Sequence, residues 1–275
     1  MTSTDPTAPG THPAGPGRIA PPAAAAPGSR GAALGLVTIG QAPRTDLVDD
    51  VRPHLGGLRP VEHGALDLDD FEGPGEADAR AAVGPVAGEA PLISRLRDGR
   101  SVQLGHEALA PRMRDAVARC EQDGAGATLL LCTGNFPPVP SSRPLLYAEP
   151  LVQHGVRAVA GADPVGVICP LPAQREDTGR RWARLLPGPV SVEPADPYAP
   201  EAHETVTEAA RRLAAGGSRW LVLDCIGYTE SMRAAAARSA GPAVPVLLAR
   251  ALAVRLAAEA AASAVSTMPT ADGPY

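Results

Sequence analysis

Lysine is missing altogether: all 25 basic residues of the 275-residue chain are arginine. A chain without lysine has no Schiff-base amine and no phosphate-loop lysine. Aromatic residues make up only 3%, which argues against base-stacking platforms and aromatic cages. Positive charge is also short. The formal net charge is −5, the wrong sign for a nucleic-acid-binding face. Four cysteines are too few for a disulfide scaffold, and no two have C-x-x-C spacing. The six histidines (His12, His54, His63, His106, His154, His203) are scattered, so no metal site is expected. No apolar run reaches the ~20 residues that cross a bilayer. The nearest stretch, from Val244 to Val265, is interrupted by Arg250, Arg255 and Glu259. No charged segment followed by an apolar one opens the chain, so the expected location is cytoplasmic.

Hydrophobic residues make up 44% of the chain, enough to bury a sizeable core. They are unevenly placed. Residues 1–32 and 266–275 are rich in Pro, Ala, Gly, Ser and Thr, and are expected to be disordered tails. Between them stand four continuously apolar runs: Leu34–Ile39, Thr128–Leu131, Val165–Ile168 and Trp220–Leu223. Such runs read as parallel strands buried on both faces. Helical patterns separate them, over Ala108–Glu121, Ala202–Ala214, Thr229–Ser239 and Leu247–Ala262. The alternation predicts an α/β fold with a mostly parallel sheet. Asp98-Gly99, within Leu92–Leu104, reads as the two-residue turn of an inserted β-hairpin.

The chain also repeats itself. LGLVTIGQAPRTD from Leu34 aligns without gaps on VGVICPLPAQRED from Val165, matching Gly35 with Gly166, Arg44 with Arg175 and Asp46 with Asp177. LLLCTGN and LVLDCIGY form a second pair, matching Cys132 with Cys225 and Gly134 with Gly227. Two related halves are therefore expected, at 33–150 and 151–265. Ligands of parallel sheets bind beyond the carboxyl ends of the strands, where both cysteines fall. Two thiols facing each other across a substrate make a two-base proton-transfer pair that needs no cofactor. Thiols in that role are expected to outpace free cysteine toward iodoacetamide at pH 7.

The segments LVTIG, LLLCTGN, LDCIGYTESMR and VPVLLARALAVRLAAE resemble the AroM family, which is similar to the aspartate/glutamate racemase superfamily that includes hydantoin racemases. The likeness covers most of residues 34–262. LDCIGY is its most specific part. It implies two pseudo-symmetric parallel-sheet halves with a cleft between them and one catalytic cysteine from each, Cys132 and Cys225. It also implies substrate-binding roles for Thr38, Gly40 and Gln41 after the first strand, for Thr133, Gly134 and Asn135 after the first cysteine, and for Ile226, Gly227 and Tyr228 after the second. The racemases' usual Cys-Asn-Thr and Cys-Thr are here Cys-Thr-Gly-Asn and Cys-Ile-Gly-Tyr. The implied activity is a cofactor-independent racemase or epimerase acting on an amino acid or a related carboxylate or hydantoin. A single-cysteine isomerase or decarboxylase and a non-catalytic small-molecule binder are the alternatives. The expected partner is a small molecule, with homo-oligomers allowed.

The remaining candidates have plainer readings. Cys120 lies on an apolar helix face, and Cys169 reads as core. Asp224 is expected behind the site as a structural partner. Arg44 and Arg175 fit a carboxylate clamp, but solvated helix positions are the commoner fate of such residues. Arg143 reads as a lid residue. His106 and His154 read as surface or loop residues.

Overall fold

The computed structural model describes residues 32–265. The expected disordered tails lie outside the described residues, apart from residue 32. In chain order the first part holds β1 (Ala33–Thr38), α1 (Val48–Val51), β2 (Arg59–Gly64), α2 (Glu76–Val83), β3 (Leu92–Arg95), β4 (Ser101–Leu104), α3 (His106–Gln122), β5 (Ala127–Leu131), β6 (Leu145–Tyr147) and α4 (Ala148–Ala160). The second holds β7 (Val165–Cys169), α5 (Arg175–Leu185), β8 (Val190–Pro194), α6 (Ala202–Ala215), β9 (Trp220–Leu223), α7 (Glu230–Ala240), β10 (Val246–Leu248) and α8 (Ala249–Val265).

Two four-stranded, wholly parallel sheets result, in the orders β2-β1-β5-β6 and β10-β9-β7-β8. The four apolar runs are the central strands β1, β5, β7 and β9. Helices cover both faces of each sheet, so side chains on both sides of these strands are apolar. The four strands that sequence reading missed, β2, β6, β8 and β10, are all edges. An edge strand has one neighbour and partial cover, so its apolar signal is weak: β2 reads Arg-Pro-Val-Glu-His-Gly. The helix expected from Leu247 starts later, because Val246–Leu248 pairs with β9 instead.

The sheet register turns the sequence repeat into a structural one. Gly35 pairs with Thr128 on β5, four residues before Cys132. Gly166 pairs with Leu221 on β9, four residues before Cys225. Both glycines sit where a neighbour presses close. A Cβ would lie 2.6 Å from Thr128 Oγ1 at Gly35 and 2.6 Å from Leu221 Cδ2 at Gly166.

One apolar cluster joins the two sheets. It takes Val152 and Val156 from α4, Ala253 and Ala257 from α8, and strand residues of both sheets. Helix α8 packs on α4 and on β5, so its alanine-rich face is buried inside the chain. Helix α4 runs through residues 150 and 151.

The expected hairpin is present as β3–β4. Its loop has three residues, Arg97–Gly99, rather than two. Leu96 and Arg100 close it through an N–H···O bond of 2.8 Å, and Gly99 takes a φ of +86°. That left-handed residue is the third of a three-residue hairpin loop, a position suited to glycine.

Candidate functional site: a two-thiol cleft

Both sheets end their central strands at one narrow cleft of about 70 Å3. Cys132 follows β5 directly, and Cys225 follows β9 after Asp224; both line the cleft. Their local geometry is the same. Gly134 N–H donates to Cys132 Sγ at 3.3 Å, and Gly227 N–H donates to Cys225 Sγ at 3.3 Å. Each chain turn thus folds a backbone donor back onto the sulfur two residues earlier, where it favours the thiolate.

Burial works the other way and wins. It pushes the Cys132 thiol up to about 12 and the Cys225 thiol up to about 11, despite the glycine N–H bonds. At Cys225 the neighbouring Asp224 charge disfavours the thiolate while Arg44 and Arg250 favour it; at Cys132 the Cys225 and Glu149 charges disfavour it while Arg181 favours it. Desolvation thus works against the fast reaction of both thiols expected at pH 7, because it outweighs the local donors.

Thr133, Gly134, Asn135 and Ile226 line the cleft as the sequence suggested. Thr133 also ties the halves together, its hydroxyl donating to the Asp224 carbonyl at 3.1 Å. The Asp224 carboxylate accepts from the Trp182 indole at 2.7 Å, and burial raises its pKa. The other proposed binding residues are engaged elsewhere. Tyr228 is fully buried and its hydroxyl donates to the Ala195 carbonyl at 2.6 Å, so it does not face the cleft. Gln41 bridges Leu66 O and Arg97 N–H, bracing the β3–β4 hairpin. Thr38 Oγ1 accepts from Gly40 N–H and from Arg44. Gly40 sits against the hairpin, where a Cβ would lie 2.2 Å from Arg95 O. Gly227 sits against the Tyr198 ring.

Among the cleft residues that sequence reading did not assign to it are Arg44, Tyr198 and Arg181. Arg44, set aside as a solvated residue, is 5% exposed. It forms a two-pronged pair with Asp46 at 2.8 Å on each arm and donates to Thr38, Ser94 and Tyr198. Burial opposes its charge, but Tyr198 and Asp46 outweigh that and raise its pKa. Tyr198 carried no motif at all. Arg181 reaches the cleft from α5 and pairs with Glu149 at 2.6 Å. Arg175, the repeat partner of Arg44, is instead exposed and pairs with Glu193. The repeat predicted equivalent residues, but only the first half has a hairpin to enclose its arginine.

The weaker candidates divide. His106 lines the cleft rim, with Nδ1 3.1 Å from Asn135 O. His154 and Arg143 are exposed and away from it. Cys120 and Cys169 are buried in apolar clusters. Behind Cys225 stands Arg250, 0% exposed, donating to the carbonyls of Ile226 and Tyr228 and to Asp50 at 2.9 Å. It clamps the turn that carries Cys225 to the first half of the chain.

Among the described residues no group of three His, Cys, Asp or Glu could hold a metal ion, and no helix is long and apolar enough to cross a membrane. A family model described as AroM protein matches residues 34–261. No curated protein matches the sequence. Among solved structures, unliganded arylmalonate decarboxylase is similar at 16% identity and TM-score 0.52, over 83% of this chain and 92% of that one. A glutamate racemase from Bacillus anthracis is similar at 12% identity and TM-score 0.55, over 88% of this chain and 85% of that one. An aspartate racemase from Picrophilus torridus is similar at 10% identity and TM-score 0.50, over 84% and 95%. At these identities the shared feature is the two-half α/β fold.

Proposed function

The chain belongs to the AroM family, and from that premise we propose that it is a cofactor-independent racemase or epimerase working on an amino acid or a related carboxylate or hydantoin. Cys132 and Cys225 are the acid/base pair. The observation that carries this reading is their equivalence: the same register position in two matching sheets, the same N–H···S bond, one cleft.

Cys225 is the base in the direction drawn here, because its thiol is the less raised of the two, Arg44 and Arg250 offsetting part of what burial and Asp224 add. The minor thiolate form of Cys225 takes the α-proton and becomes a thiol. The electron pair left on carbon is held by the adjacent carbonyl or carboxyl group. The Cys132 thiol returns a proton on the opposite face and becomes the thiolate, held by Gly134 N–H. The burial that makes each thiolate rare also makes it a strong base, and the Gly227 and Gly134 N–H groups hold whichever sulfur carries the charge. Thr133, Asn135 and Ile226 contact the substrate, which is small because the cleft is small.

A one-thiol reaction is the second reading. The unequal surroundings of the two sulfurs favour it, since they suit one proton donor better than an even exchange. Proton NMR in D2O separates the readings. Amino acids, substituted hydantoins and small hydroxy or dicarboxylic acids are incubated with the protein while the α-proton signal is followed. Signal loss that disappears in both Cys132→Ser and Cys225→Ser supports the two-thiol reaction. Dependence on one cysteine alone supports the second reading. No exchange across the panel by a folded protein would sink both and leave a binding role.

A further inference from the structure

A second cavity lies on the far side of Arg44 from the thiols. It holds about 340 Å3, within the range of small-molecule sites and larger than the thiol cleft. Its wall is aliphatic: Leu36 and Leu131 from the strands, and Leu47, Val51, Leu55 and Leu58 from α1 and the turns around it. Each of these six is less than 9% exposed, held in place by the core behind it, and each lines the cavity. Water against such a wall is poorly held, and an apolar group that displaces it gains affinity.

The polar groups of this cavity are few and of opposite sign. Arg52 is exposed, and its guanidinium makes no ion pair among the described residues. Glu62 accepts the Arg44 backbone N–H at 3.1 Å through one oxygen and makes no ion pair among the described residues. The two do not pair with each other, although both line the same pocket. Arg44 is the partition: its backbone meets Glu62 here, while its guanidinium meets Thr38 and Tyr198 on the thiol side.

We propose that this cavity is a binding site for an α-amino acid with an apolar side chain, seated with its side chain on the six aliphatic residues, its carboxylate on Arg52 and its ammonium on Glu62. A zwitterion with an apolar body satisfies every feature of the pocket at once. A fatty acid leaves Glu62 facing a carboxylate, and an apolar amine leaves Arg52 facing an ammonium. The site is separate from the chemistry of the thiol cleft and does not rest on it.

Calorimetry and saturation-transfer NMR on the full chain test this, with L-phenylalanine and L-leucine as probes and phenylacetate and phenethylamine as one-charge controls. Phenylalanine or leucine is expected to bind, each control at least ten-fold more weakly. Arg52→Glu is expected to weaken amino-acid binding at least ten-fold with an unchanged melting temperature, because Arg52 is exposed. The double variant Cys132→Ser/Cys225→Ser is expected to bind as the native chain does. Absence of binding, equal binding by Arg52→Glu, or loss of binding in the cysteine variant each overturns the proposal. The last outcome places the ligand in the thiol cleft instead.

Discussion

Arg44 and Tyr198 meet across the cleft: the guanidinium donates to the phenol oxygen at 3.2 Å, although 154 residues separate the two in the chain. The Arg95 guanidinium also lies over the same ring, 4.9 Å from its centroid. Two arginines of the first half therefore hold a tyrosine of the second. Gly227, two residues beyond Cys225, packs directly against that tyrosine.

Loss of the arginine strands Asp46 and removes the donors to Thr38, Ser94 and Tyr198. Arg44→Ala is expected to cost about 3 kcal/mol, the lower part of the range for breaking a buried pair, since Asp46 is partly exposed. Tyr198→Phe removes one hydrogen bond and keeps the ring, at about 1 kcal/mol. Urea denaturation measures both. Equal losses would show that the hydrogen bond to the Tyr198 hydroxyl carries most of what Arg44 contributes.

Two glycines give opposite expectations. A Cβ on Gly227 would lie 2.5 Å from the Tyr198 hydroxyl, so Gly227→Ala must shift the ring or the Cys225 turn. A loss of about 1–3 kcal/mol is expected from such overpacking. Gly155 sits within α4, and a Cβ there meets nothing within 4 Å. Gly155→Ala is expected to stabilise the chain by about 0.5–1 kcal/mol through helix propensity. Thermal melting of the two variants reads both signs.

Burial raises all four thiols: Cys120, Cys132 and Cys169 up to about 12, and Cys225 up to about 11. Tyr198 is raised to about 12 for the same reason. Each group keeps its proton in the folded chain at a pH where the unfolded chain has lost it. The folded state then binds more protons, so stability falls as pH rises. The loss begins near the ordinary thiol pKa of 9.0 and continues to about 12. Far-ultraviolet ellipticity followed from pH 7 to 12 is expected to show alkaline unfolding, with a flat response below pH 8.

The same shift governs labelling. A thiol with a pKa near 11 carries roughly a hundred-fold less thiolate at neutral pH than free cysteine. Iodoacetamide is expected to modify Cys132 and Cys225 slowly at pH 7, about ten-fold faster for each unit of pH up to pH 10. Peptide mass spectrometry reads each site. Rapid labelling of Cys225 at pH 7 would mean that Arg44 and Arg250 outweigh its desolvation.

Arg250→Ala is expected to cost about 3–5 kcal/mol, because it leaves the Ile226 and Tyr228 carbonyls and Asp50 without their buried donor. Arg250→Lys is expected to recover only part of this, since an ammonium lacks the planar fork that reaches all three. Chemical denaturation compares the two. Full recovery by lysine would show that charge alone holds the turn.

Much of the molecule could be read along the chain. β1, β5, β7 and β9 announced themselves because burial on both faces leaves no polar position to break the run. The cysteines were legible for a related reason: each follows such a run and precedes Gly134 or Gly227 by two residues. Edge strands β2 and β10 were not, since one exposed side admits Arg59 or shortens the run to three residues. Nor was the role of Arg44, because its partners Ser94 and Tyr198 lie 50 and 154 residues away.

Composition and order alone thus determined two parallel-sheet halves, the matched Gly35 and Gly166, and a thiol at the carboxyl end of one central strand in each. These follow from local periodicity and backbone sterics, which act over a few residues. Tertiary structure decided which polar side chains the cleft contains. It buried Arg44 beneath the hairpin and left its repeat partner Arg175 in solvent. It brought in Tyr198 and turned Tyr228 away to the Ala195 carbonyl. Those choices depend on hydrogen bonds between residues far apart in the chain, and no local pattern encodes a partner that only folding supplies.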